Sequence, residues 1–195
     1  SVVSHAKTLG YEVTSARAPI ATVNVALSTT DSSKTMPAGT AFSTTVDDVS
    51  YQYVTIADIT ASGAGAEVKF NNVKIYEGTY ITSKYLVDTS DVAQRFLLPD
   101  SRVDTSTLKV QVQNSASDST VATYTKATDI SQISSTSSVY FLQEVENGRH
   151  EIYFGDGNVS KSLSDGNIVI LNYVVTNKTA SNGASTFSAP SSIDG

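Results

Sequence analysis

From Ile20 onward, apolar and polar residues alternate with a period of two. In "IATVNVAL", Ala21, Val23, Val25 and Leu27 share one side and Thr22 and Asn24 the other, the pattern of a half-buried strand. Further strands are predicted over residues 51–59 ("YQYVTIADI"), 79–87 ("TYITSKYLV") and 121–125 ("VATYT"). The cleanest alternation puts Leu108, Val110 and Val112 opposite Lys109, Gln111 and Gln113, and residues 121–125 fit as its neighbour across the polar "NSASDS". "VKFNNVKIYEG" reads as a hairpin-like pair turning around Asn71-Asn72. Residues 139–146 and 149–154 are separated only by Asn147-Gly148, a pair suited to the positive φ angles of a type I′ hairpin turn. Residues 168–176 ("IVILNYVVT") are apolar on both faces, as a central or covered strand would be.

Elsewhere the period breaks. Ahead of the strands, "SVVSHAKTLGYEV" has the spacing of the last turns of a short N-terminal helix closed by Gly10. Pro37-Ala38-Gly39 is turn chemistry. "TASGAGAE" (60–67) is small, flexible and linker-like. Together these give a mainly β fold of β-sandwich-like modules and antiparallel hairpins. A nested arrangement is expected, with an outer module from residues 1–66 plus 139–195 and an inserted module over 67–138. The tetrapeptide VDTS occurs at Val87 and again at Val103, too short a match to mark a repeat. Both ends look like cuts through a longer polypeptide.

Composition narrows the class. Charged residues are 16% and Val, Ile, Thr and Tyr are common, which favours strands over coiled coil or charge-rich disorder. A net charge of −6 leaves no basic stripe to neutralise phosphates, so nucleic acid is not an expected partner. No apolar run approaches the roughly 20 residues that cross a bilayer, so neither is a membrane. Cysteine is absent, which removes disulfides and thiolate metal sites.

Candidate chemistry gathers between residues 147 and 167. Asp156, Asn158, Ser160, Ser162 and Ser164 alternate like EF-hand ligands, but the sixth position is Lys161 instead of Gly and the twelfth is Asn167 instead of Glu. His5 and His150 are the two histidines, and no G-x-S-x-G elbow accompanies them. Asp156 and Asp165 sit in Asp-Gly turns, which hold carboxylates in water and not in a pKa-shifting cleft. The better reading is a structural corner made of Asn147, Gly148, Phe154, Gly155, Asp156, Gly157, Asp165 and Gly166. In it Gly155 and Gly157 let the backbone turn, Asp156 caps the turn and Phe154 anchors it in the core. No catalytic, cofactor or metal residue is assigned. Ten tyrosines and many polar loops leave a receptor- or carbohydrate-binding β module as the alternative to a scaffold that acts through its surface contacts.

Several stretches, in order, resemble the baseplate J-like family, and the wedge proteins of T4-like contractile-tailed phages in particular. They are "LGY" (9–11), "SARAPIATVNVAL", "PAGTAFST", "EGTYIT", "QRFLLPDSRVDTSTLKVQV", and the series Ile152 to Gly157, Asp165-Gly166 and the strand through Tyr173. The resemblance implies a non-enzymatic virion component of the tail baseplate, assembled in the host cytoplasm, with no cofactor. It also implies partners: copies of itself and neighbouring wedge proteins, with no small-molecule substrate. The resemblance further implies that these subunits form a ring around the central hub, which holds the baseplate before contraction and helps trigger the sheath.

Overall fold

In the computed structural model, residues 15–193 are described; the expected N-terminal helix, with His5, lies outside them. Among the described residues the fold is mainly β: thirteen strands and three short 3-10 turns, with no α-helix. The strands are β1 (Ile20–Ser28), β2 (Ser33–Met36), β3 (Ala41–Val46), β4 (Val49–Val54), β5 (Ile59–Ala64), β6 (Glu67–Glu77) and β7 (Thr79–Leu86). They continue with β8 (Phe96–Leu98), β9 (Val103–Gln113), β10 (Val121–Lys126), β11 (Val139–Glu144), β12 (His150–Phe154) and β13 (Ile168–Val175). Two sheets result, one ordered β2-β5-β6-β4-β3 with β1 also on β6, the other ordered β7-β13-β9-β10-β11-β12-β8.

The described chain divides into two compact units, residues 16–80, 104–107 and 174–193 in one, and 15, 81–103 and 108–173 in the other. In the first, β1 and β6 run antiparallel over their whole lengths. Their inward side chains meet the core of Met36, Phe42, Tyr53, Val68, Phe70, Val73 and Ile75. The hairpin expected at Asn71-Asn72 is instead a bulge inside one continuous β6. Register shifts between Val23 and Val25 because two β6 residues face Asn24. Asn72 takes φ 54°, and its N–H donates to Asn24 Oδ1 at 2.8 Å. Apolar positions in β6 change phase there, from 68 and 70 to 73 and 75, and one inserted residue does that without reversing the chain.

Residues 51–59 also depart from the single strand expected. β4 ends at Val54 and β5 starts at Ile59. Between them Thr55 is tied to the Pro37-Ala38-Gly39 turn: its Oγ1 donates to Pro37 O at 2.8 Å and accepts from Thr40 N at 3.0 Å. The linker-like 60–67 is β5 and the tight turn into β6, with Gly63 paired to Val68 and Ala64 to Glu67. Small residues suit it because Asp31 O lies 2.1 Å from where a Cβ on Gly63 would sit.

The second unit carries the expected pairs. β10 lies antiparallel to β9, Val121 opposite Gln113. Their connection is closed by Asp118, which accepts from Asn114 Nδ2 at 2.8 Å and from Thr120 N at 3.0 Å. These bonds, the Asn114 side chain first, hold its pKa at about 2, below the ordinary 3.8. A depressed carboxylate favours the fold above its unfolded pKa and loses that contribution as pH falls through its folded value. The Asp118 carboxyl carbon should therefore titrate in NMR near pH 2, the benefit disappearing between about pH 4 and 2. A midpoint at the ordinary value would mean the turn bonds are not made.

Candidate functional site

The hairpin of β11 and β12 pairs Glu144 with His150 and Tyr140 with Phe154. At its tip Asn147 and Gly148 have φ of 63° and 68°, the sign that a type I′ turn needs at both central positions. Arg149 Nη2 closes the tip on Glu146 Oε1 at 3.1 Å.

Past Phe154 the chain folds back on itself. Gly157 N donates to Ser160 O at 2.9 Å, and Gly155 bridges Ser162 in parallel sense. Ser160 is fully buried and crosses directly against Gly155: a Cβ there would come within 1.9 Å of Ser160 Oγ and 2.5 Å of its carbonyl oxygen. Gly157 differs, being in the left-handed region at φ 88° with its nearest neighbour, Ser162 Oγ, 3.5 Å from a built Cβ. Asp156 accepts Asn158 N at 2.9 Å, and this backbone bond is the first cause of its lowered pKa. Phe154 packs edge-on against Phe96 at 5.5 Å and against Tyr124 at 5.5 Å, and Phe96 against Tyr85 at 5.7 Å.

Asp165 and Gly166 form a separate corner. Asp165 Oδ1 accepts from Thr89 N at 3.0 Å, Gly166 N donates to Val87 O at 2.9 Å, and Val87 N to Asn167 O at 2.8 Å. Asn167 also reaches Asn114 O through Nδ2 at 2.9 Å. Asn167, one of the two departures from the EF-hand pattern, thus joins two turns. Among the described residues no three His, Cys, Asp or Glu side chains converge.

Several aspartates share one task. Asp88, Asp91, Asp100, Asp118, Asp129 and Asp156 each accept the N–H two residues on, at 2.8–3.0 Å, the Asx-turn bond. Both VDTS copies do this and add a serine hydroxyl, Ser90 to Asp88 and Ser106 to Asp104, at 2.6 Å each. Asp-x-Ser sets that geometry locally, so the match needs no duplication.

Sequence reasoning passed over three buried carboxylates. Glu77 is fully buried and accepts from Thr176 Oγ1 at 2.6 Å, Asn177 N at 2.8 Å and Asn177 Nδ2 at 2.9 Å. Asp104 takes Ala18 N at 2.8 Å and Ser106 N at 2.9 Å, with Arg17 Nη1 at 3.6 Å. Glu151 is held by Arg95, whose Nε donates at 2.6 Å. His150 beside it is buried within β12. Each of these carboxylates is enclosed by donors of its own fold. The arrangement fastens strand ends.

Residues 81–185, a little over half of the chain, match the model of the family described as bacteriophage baseplate wedge protein gp6, third domain. The chain is also similar to the baseplate wedge protein gp6 of Enterobacteria phage T4, 27% identical over 212 residues, covering 96% of this chain and 30% of that protein. It thus spans about a third of the length of that relative. The turns described above within residues 147–167, and all of β8 to β12, fall within the matched region, and the chain belongs to the baseplate wedge protein gp6 family, structural proteins of the phage tail baseplate.

Proposed function

We propose that this chain is a non-enzymatic assembly module of a baseplate wedge. It acts in assembly, and in holding and triggering sheath contraction, by associating with copies of itself and with neighbouring wedge proteins. The match over residues 81–185 carries the reading. Carboxylates committed to internal turns and anchors support it, because they leave shape and exposed strands as the means of action. A net charge of −6 argues against nucleic acid as a partner. The eight corner residues act in this reading by fixing chain direction.

Sedimentation and light scattering of the purified chain, alone and mixed with the other wedge proteins of its phage, test the reading. The expected result is a species heavier than the 20.6 kDa monomer and stoichiometric complexes with at least one wedge neighbour. A chain that stays monomeric, ignores those neighbours and binds glycans on an array would replace it with the receptor-binding alternative.

A further inference from the structure

Open sheet edges are sites where another chain can pair, and folds protect them with charge, brevity or a cover. In this protein β2 is four residues long and contains Lys34, β8 is three residues long, and β7 carries Lys84. β3 is covered, since Ser43 and Ser188 exchange backbone bonds at 3.0 and 2.8 Å. β1 is the exception. It has nine residues, "IATVNVALS", without one charge. Among the described residues its only strand partner is β6. The bulge beside it places its extra residue on β6, so β1 stays regular.

Burial marks the same edge independently. Ala21, Val23, Val25 and Leu27 pack on the core but stay partly exposed. The β6 residues opposite them, Ile75, Val73, Phe70 and Val68, are 0–2% exposed. One core is thus sealed on the β6 side and open on the β1 side. A groove of about 610 Å³ lies there, lined by residues 21–26, Phe42 and the 184–189 segment.

We propose that a second copy of this chain pairs through β1, the two strands antiparallel about a two-fold axis at Asn24. This rests on the self-association put forward above and names the surface. The strand is self-complementary in that register: Val23 meets Val25 of the second copy, Ala21 meets Leu27, and Thr22 meets Ala26, so inward positions face inward ones and no charges oppose. The two β1 edges satisfy each other's backbone groups, and the half-covered apolar row gains a neighbour.

Thr22 and Ala26 are on the exposed face of β1, so their substitution leaves the core alone. Thr22→Lys with Ala26→Lys sets lysine against lysine twice across the axis, and should weaken dimerisation roughly tenfold in sedimentation equilibrium. Thr22→Lys with Ala26→Glu sets opposite charges there and should restore the parent constant or exceed it. Melting curves of both variants should match the parent. If the parent dimerises and both variants dimerise equally well, β1 is not the interface, while self-association stands. A parent that remains monomeric overturns both the interface and the self-association on which it rests.

Discussion

Glu77→Ala is expected to lower the melting temperature by roughly 6–12 °C, the largest loss of any single side-chain truncation proposed for this protein. The carboxylate is fully buried and holds three donors, from Thr176 and Asn177. Removing it takes the carboxylate acceptor from the Thr176 hydroxyl and the Asn177 amide, each loss costing about 1–3 kcal/mol, while the exposed Asn177 side chain can turn to water. A net cost of about 3 kcal/mol corresponds to that shift for a chain of this size. Glu77→Gln keeps one acceptor oxygen but adds two donors against Asn177 Nδ2, and should lose about half as much. Circular dichroism melts of the three proteins decide it. An alanine variant that melts with the parent would mean that the three bonds contribute nothing.

Glu77 also shows where the sequence stops being informative. Strand content was legible because its signals are local: β1 and residues 108–113 of β9 alternate with period two, β13 is a nearly continuous apolar run, and the Asn147-Gly148 turn that joins β11 to β12 needs only its own two residues. What the sequence hid depends on partners far along the chain. Glu77 reads as a polar strand end until Thr176 and Asn177 arrive, about a hundred residues later. Arg95 and Glu151 are separated by 56 positions. Asn71-Asn72 was ambiguous for a different reason, because Asn tolerates left-handed φ in a hairpin turn and in a bulge alike. Only the pairing of β1 across both halves of β6 decides between them. The small residues of 60–67 likewise suit a linker and a crowded strand equally well, and the carbonyl of Asp31 against Gly63 is what requires them.

At the corner the two glycines should respond differently to substitution, and the difference tests what each is for. Gly155 lies outside the left-handed region, so a side chain there suffers only from lack of room. Ser160 Oγ could rotate away from the new methyl group, but the Ser160 carbonyl, 2.5 Å from it, is backbone and cannot. The 155–162 strap must lift, breaking the Gly157-to-Ser160 bond and the Gly155–Ser162 bridge. Gly155→Ala should therefore cost about 3 kcal/mol, the upper part of the usual overpacking range. Gly157 has room but the wrong backbone for a side chain, φ 88° with nothing nearer than 3.5 Å. Gly157→Ala should cost about 1–2 kcal/mol, and Gly157→Val more, since a branched Cβ tolerates that φ least. Near-UV circular dichroism from Tyr124 and Tyr85 adds a local readout, because Phe154 joins their cluster through its edge contacts with Tyr124 and Phe96. Gly155→Ala should flatten that signal and Gly157→Ala should leave it. Ser160→Ala in the Gly155→Ala background relieves the hydroxyl contact but not the carbonyl one, so it should rescue only part of the loss. Full rescue would place the conflict in the side chain, and a Gly157→Val protein as stable as the parent would mean that residue 157 does not turn the chain.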